Sequence, residues 1–116
     1  MKRTSLEVTP EVKQVKAILR VKSILMKHKG KKHSISSGEI ADLLGMSEGD
    51  THSQVRKLIK QCAYIYRIPL AGNSNGYYII TKQKELDEYC ENLETRVRQI
   101  NQRKRTMQKF FQEKYG

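Results

Sequence analysis

The chain has 116 residues, with 23 Lys and Arg against 12 Asp and Glu, a formal charge of +11. Hydrophobic residues make up only 37% of it, below the ~45–50% usual for globular chains, so one small core is expected rather than a deep enzyme interior. The longest apolar run is the five residues from Cys62 to Tyr66, far short of the ~20 that span a bilayer, and the start MKRTSLEVTPEV lacks the apolar stretch of a secretory signal.

A pI near 9.8 points to a polyanionic partner, most economically nucleic acid, with an anionic membrane surface as the rival. The basic helices lack Trp and a broad free apolar face, so no membrane partner is expected. Cys62 and Cys90 lie in separate helix candidates without CxxC spacing and read as reduced cytoplasmic thiols packed as small hydrophobes. His28, His33 and His52 have no Cys or His at ligand spacing, so they read as surface or interfacial histidines and no metal is expected. There is no supported Ser-His-Asp set, no phosphate-cradling glycine loop and no paired-carboxylate cleft. Neither catalysis nor a cofactor nor a small-molecule ligand is therefore expected.

Charge is unevenly distributed. Residues 1–34 hold ten Lys/Arg and two Glu, residues 35–80 four of each sign, and residues 81–116 nine basic and six acidic groups. Residues 1–8 read as a flexible basic arm. Thr9, Pro10 and Glu11 then read as a cap, a first helical residue and a favourable dipole charge. Val12, Val15, Ile18, Leu19 and Leu25 form one stripe, broadened by Val21, Ile24 and Met26, which predicts a helix over residues 10–29 stopped at Gly30.

A short extended segment is expected at residues 33–36. Ser36 and Glu39 have capping-box spacing, opening a short helix with Ile40, Ala41, Leu43 and Leu44 that stops at Gly45. Met46 and Ser47 form a turn, Ser47 or Asp50 caps the next helix, and Val55, Leu58, Ile59 and Cys62 give that helix, residues 50–63, a single apolar stripe. Residues 64–70, rich in aromatic and β-branched side chains and closed by Pro69, predict an edge strand. Residues 71–76 predict a turn and residues 77–80 a second strand, with one of Tyr77 and Tyr78 buried and the other half-exposed.

Helix, strand, helix-turn-helix and hairpin in that order spell a winged helix. The stretch SSGEIADLLGMS…VRKLIKQ…GNSNGYYIIT, residues 36–81, resembles the winged helix-turn-helix of the biotin-repressor type. The matching residues are Ser37, Gly38, Glu39, Ile40, Ala41, Leu44, Gly45 and Ser47, then Val55 and Ile59, then Gly76, Tyr77 and Ile79. That family places Gly after the recognition helix, where this chain has Tyr66, so a different passage into the strand is expected. The whole chain is also similar to small phage and prophage winged-helix proteins, which implies a bacterial host cytoplasm.

The resemblance implies duplex DNA as partner. Ser53, Gln54, Arg56, Lys57 and Lys60 form a polar face with no acid between Thr51 and Lys60. In a major groove, Gln54 suits adenine and Arg56 suits guanine. A solvated helix face is the plain alternative, and the helix-turn-helix context favours the reading face. The wing residues Asn73, Ser74 and Asn75 carry no cation, so phosphate or minor-groove contact and a plain turn stand equal. Lys27, Lys29, Lys31 and Lys32 form a patch suited either to dipole compensation or, at Lys31 and Lys32 especially, to phosphate.

From residue 82 to residue 114 there is neither Gly nor Pro, room for a helical rod of roughly 45–50 Å. Leu86, Cys90, Leu93, Val97, Ile100, Lys104, Met107 and Phe111 follow a 4-3 heptad spacing, with Leu86, Leu93, Ile100 and Met107 at d and the others at a. This seam predicts a homodimer through residues 82–116, with folding back onto the first helix as the alternative. The expectation is thus an α+β, mostly helical protein: a flexible arm, a winged helix-turn-helix over 9–81 and a dimerisation helix over 82–116. Its expected role is duplex DNA binding, as a transcriptional regulator or a replication or packaging accessory. The alternative is a protein-interaction adaptor that uses the winged helix as scaffold and the last helix for docking.

Overall fold

The computed structural model describes residues 10–46 and 51–116. Its elements in chain order are α1 (Pro10–Leu25), a 3-10 turn (Lys31–His33), α2 (Ser37–Leu44), α3 (Thr51–Ile65), β1 (Leu70–Asn73), β2 (Gly76–Ile79) and α4 (Gln83–Tyr115). The class is α+β and mostly helical, as expected, with one antiparallel hairpin and a long C-terminal helix. The arm over residues 1–8, the Thr9 cap, and the Ser47 turn and Ser47 or Asp50 cap lie outside the described residues. Two compact units divide between Thr81 and Lys82.

The core of the first unit is built by three helices that each bury one narrow stripe. Ile18, Val21 and Leu25 come from α1, Ile40, Ala41 and Leu44 from α2, and Val55, Ile59 and Cys62 from α3, with Ile35 and Ile79 closing the cluster. Burying each large aliphatic among them contributes roughly 1.5–3 kcal/mol. Arg20 of α1 ties two helices together: its guanidinium donates to the Leu43 carbonyl at 2.7 Å, placing a cation on the negative end of α2.

α1 ends four residues earlier than its sequence predicts, because β2 claims the backbone that follows. The Ile79 N–H donates to the His28 carbonyl at 2.9 Å, and the Gly30 N–H donates to the Ile79 carbonyl at 2.8 Å. Gly30 takes a φ of 88° there, so it turns the chain into the 3-10 turn rather than stopping the helix. Of the predicted α1 stripe, Val12 and Val15 are exposed because the core meets only the C-terminal half of the helix, and Leu19 and Met26 are exposed beside the narrow buried line of Ile18, Val21 and Leu25. The extended segment narrows to Ile35, which exchanges both backbone bonds with Tyr77 at 2.8 and 2.7 Å.

α2 follows its signals closely. The Glu39 N–H donates to the Ser36 hydroxyl and the Ser36 N–H to the Glu39 carboxylate, both at 3.0 Å. Gly45 closes the helix with a left-handed φ of 74°. Leu43, counted among its apolar residues, faces outward.

The strand predicted over residues 64–70 is a correction. α3 continues to Ile65, because the core stripe of Val55, Ile59 and Cys62 extends at helical spacing to Tyr66, which packs against the core. The helix then closes with Arg67 in the left-handed region at φ 55°, while the Ile68 N–H donates to the Ala63 carbonyl at 2.9 Å. This is a Schellman closure with arginine where glycine is usual, and Pro69 follows it. The Lys22 ammonium sits 4.4 Å from the Tyr66 ring centroid.

The hairpin is correspondingly shifted. β1 pairs with β2 from Leu70 opposite Ile79 to Asn73 opposite Gly76, leaving Ser74 and Asn75 as the turn. Gly76 takes the positive φ, at 130°, and a Cβ there would run into the Ile35 carbonyl. Tyr78 is buried and Tyr77 half-buried, the alternation expected.

The second unit is the single helix α4, 33 residues or about 50 Å at 1.5 Å per residue. None of its residues is buried. Val97, Ile100, Met107 and Phe111 are each more than half exposed, and Leu86, Cys90, Leu93 and Lys104 are exposed as well. Among the described residues no helix is long and apolar enough to cross a membrane.

Candidate nucleic-acid interface

α3 positions the candidate face by burying its opposite side. With about 100° between residues, Ser53, Lys57 and Lys60 lie diametrically across from Val55, Ile59 and Cys62, which are at most 1% exposed. Arg56 and Gln54 sit on the two flanks. All five polar residues are exposed, so rigid packing on one side presents them together on the other.

Because α3 runs two residues further than its sequence predicted, Tyr64 joins the same stripe. Its side chain is 77% exposed, and the Lys60 ammonium lies 6.0 Å from its ring centroid. The strand propensity of residues 64–70 masks this aromatic in the sequence. The signal that finds it is the helical continuation to Tyr66 described above. No Asp or Glu occurs anywhere in α3, so its outward face carries neutral polar, cationic and aromatic side chains without a carboxylate. Gln61, between Lys57 and Gln54 on the helical wheel, accepts a 3.0 Å bond from the Gln14 amide and is thereby tied to α1.

The lysine patch stands on a pinned loop rather than on a helix end. Lys27, Lys29, Lys31 and Lys32 are all exposed. The loop beneath them is held by the Gly30 and Ile79 backbone bonds, by the His33 N–H to the Gly30 carbonyl at 3.0 Å, and by a His28 Nδ1 contact to the His33 carbonyl at 2.9 Å. That contact requires the proton on Nδ1 of His28. His28 is thus half-buried and structural, while His33 is exposed.

The hairpin tip is the weakest part of the surface. Asn73, Ser74 and Asn75 are exposed, but the Asn73 side-chain oxygen Oδ1 accepts the Asn75 N–H at 2.8 Å. This local Asx turn uses the acceptor that could otherwise meet a ligand. The patch meets β2 at Ile79 and the tip begins at Gly76, so the two are about 10 Å apart along the strand.

The cysteines differ from each other. Burial pushes the Cys62 thiol above its ordinary value, with the Lys22 charge pulling the other way, whereas Cys90 is exposed rather than packed. Among the described residues no three His, Cys, Asp or Glu side chains gather where a metal ion could bind. No protein family matches the chain, and no curated protein or solved structure matches it.

Proposed function

We propose that this protein binds duplex DNA, with residues 10–81 acting as a winged helix-turn-helix, α3 as its reading helix and α4 as a dimerisation helix. The observation that carries the reading is the α3 face: Ser53, Lys57, Lys60 and Tyr64 opposite a buried stripe, with Arg56 and Gln54 on the flanks and no acid. Arg56 and Gln54 reach base edges from the flanks, while Lys57 and Lys60 meet phosphate. Lys31 and Lys32, on their braced loop, add phosphate contacts that position the domain without reading sequence. The order of α1, Ile35 bridging to Tyr77, α2, α3 and hairpin is the order such a domain requires. The protein then serves as a regulator, or as a replication or packaging accessory, of phage type.

Arg56→Ala combined with Lys57→Ala tests this, since neither side chain touches the core. The pair should abolish a specific gel shift while leaving thermal unfolding unchanged. Unaltered specific binding would remove α3 as the reader.

One observation favours an adaptor role instead. The hairpin tip carries no cation and spends the Asn73 oxygen on its own turn. In that case the full chain binds random duplexes only, weakly and with no sequence preference, and a protein partner docks on α4.

A further inference from the structure

The exposed seam of α4 would bury itself against a partner, and its charge pattern says how. Residues 83–95 hold five carboxylates and one lysine, and residues 96–115 hold seven cations and one carboxylate. Compensation of the helix dipole does not explain this, because that effect fades within the first and last turn. Here each sign fills several turns. Two such helices side by side in parallel would set acidic half on acidic half and basic half on basic half. Reversed, each half meets its opposite.

The seam makes the same choice. In a parallel, in-register pair Lys104 at an a position faces the partner's Lys104 in one layer. In an antiparallel pair a positions meet d positions. All layers from residue 86 to residue 111 then fall into register about a two-fold axis between Arg98 and Gln99, with Val97 against the partner's Ile100. Lys104 lies in the layer of the partner's Leu93, its stem along that side chain and its ammonium beside the partner's Glu94. A repulsion remains, Arg96 beside the partner's Arg103, repeated once by the two-fold axis, but it sits on the solvated flank where salt screens it.

We propose that α4 pairs with α4 of a second copy in antiparallel orientation. The inference rests on reading α4 as a dimerisation helix, and adds its direction. Its consequence is geometric: the two chains enter the paired helices from opposite ends, about 45 Å apart at 1.5 Å per residue, rather than side by side. Such a dimer suits two separated half-sites or two segments of duplex, and not abutting half-sites.

The test uses the full chain without DNA. A nitroxide placed at Glu113→Cys in a Cys90→Ala background reports the separation of the two C-terminal ends by pulsed electron resonance. The antiparallel pair predicts about 45 Å, from the helical rise. A separation below about 20 Å, the width of two adjacent helices plus labels, would establish a parallel pair and overturn the orientation alone. A monomer by sedimentation equilibrium, or a chain that assembles only with a different protein, would overturn both the orientation and the dimer reading. As a second arm, Glu94→Lys should weaken self-association about tenfold, and adding Lys104→Glu in the same chain should restore it. Failure of that restoration contradicts the Lys104–Glu94 layer.

Discussion

α3 and α4 each carry an apolar stripe at regular spacing, that of α4 interrupted by Lys104, yet the two end in opposite environments. On α3, Val55, Ile59 and Cys62 are sealed under α1 and α2. On α4, side chains of the same kind at Val97 and Ile100 stay more than half exposed. Their polar faces differ as well. That of α3 has no acid and keeps an aromatic beside its lysines, whereas α4 separates its charges into an acidic and a basic half. A stripe therefore shows that a helix has a side to bury, and the charges around it show what it faces. The α3 surround suits a polyanion; the α4 surround suits a reversed copy of itself.

The sharpest way to break this contrast is to shorten one residue in each stripe. Ile59→Ala should lower unfolding free energy by about 2–5 kcal/mol, the range for large-to-small changes in a packed core. Ile100→Ala should leave the unfolding of the first unit unchanged in urea and instead raise the concentration at which the chain self-associates. Equal loss in both would mean that the two stripes are buried alike.

Gly76→Ala comes next. It places a Cβ against the Ile35 carbonyl at a positive φ, and should cost about 2–3 kcal/mol in chemical denaturation. Arg67→Gly should act in the other direction. Relieving a left-handed arginine at the α3 closure should raise stability by about 1 kcal/mol, read as a higher melting temperature. An unchanged melting temperature would show that the Arg67 side chain makes up for its backbone strain.

The smallest effect is at the α2 cap. Bonds from the Ser36 backbone and then its hydroxyl hold the Glu39 carboxylate below its ordinary value of 4.5. A depressed folded-state value means that the cap contributes fully at neutral pH and loses its contribution as the pH falls below 4.5 and through the folded value. Melting temperatures taken as the pH is lowered should therefore drop slightly more for the natural chain than for Glu39→Gln. Parallel curves would show that the carboxylate's charge does not matter there.

The parts legible in the sequence were those decided locally. The Ser36–Glu39 box and the Gly45 stop need only neighbours in the chain, and both occur where their residues stand. The length of α4 follows in the same way from an uninterrupted run without Gly or Pro. The structure departs from the local pattern where distant backbone or packing decides. Nothing in residues 26–29 reveals that Ile79 will bond the His28 carbonyl and the Gly30 N–H and draw this segment to β2. The β-branched and aromatic run after Cys62 has strand propensity, but Tyr66 gains more by completing the α3 stripe, and packing overrides propensity. That shift moved Tyr64 from a strand onto the candidate reading face. The polar face itself was readable from spacing alone, while the bonds occupying Asn73, Gln61 and His28 were not.

The central claim is that α3 reads base sequence. The most direct measurement is selection of bound duplexes from a random pool, run in parallel with the natural chain and with the Arg56→Ala, Lys57→Ala variant. The account predicts an enriched motif for the natural chain that disappears with the variant, with residual salt-sensitive binding supplied by the remaining lysines. A pool that stays random with the natural chain, or a motif that survives the variant unchanged, would contradict it.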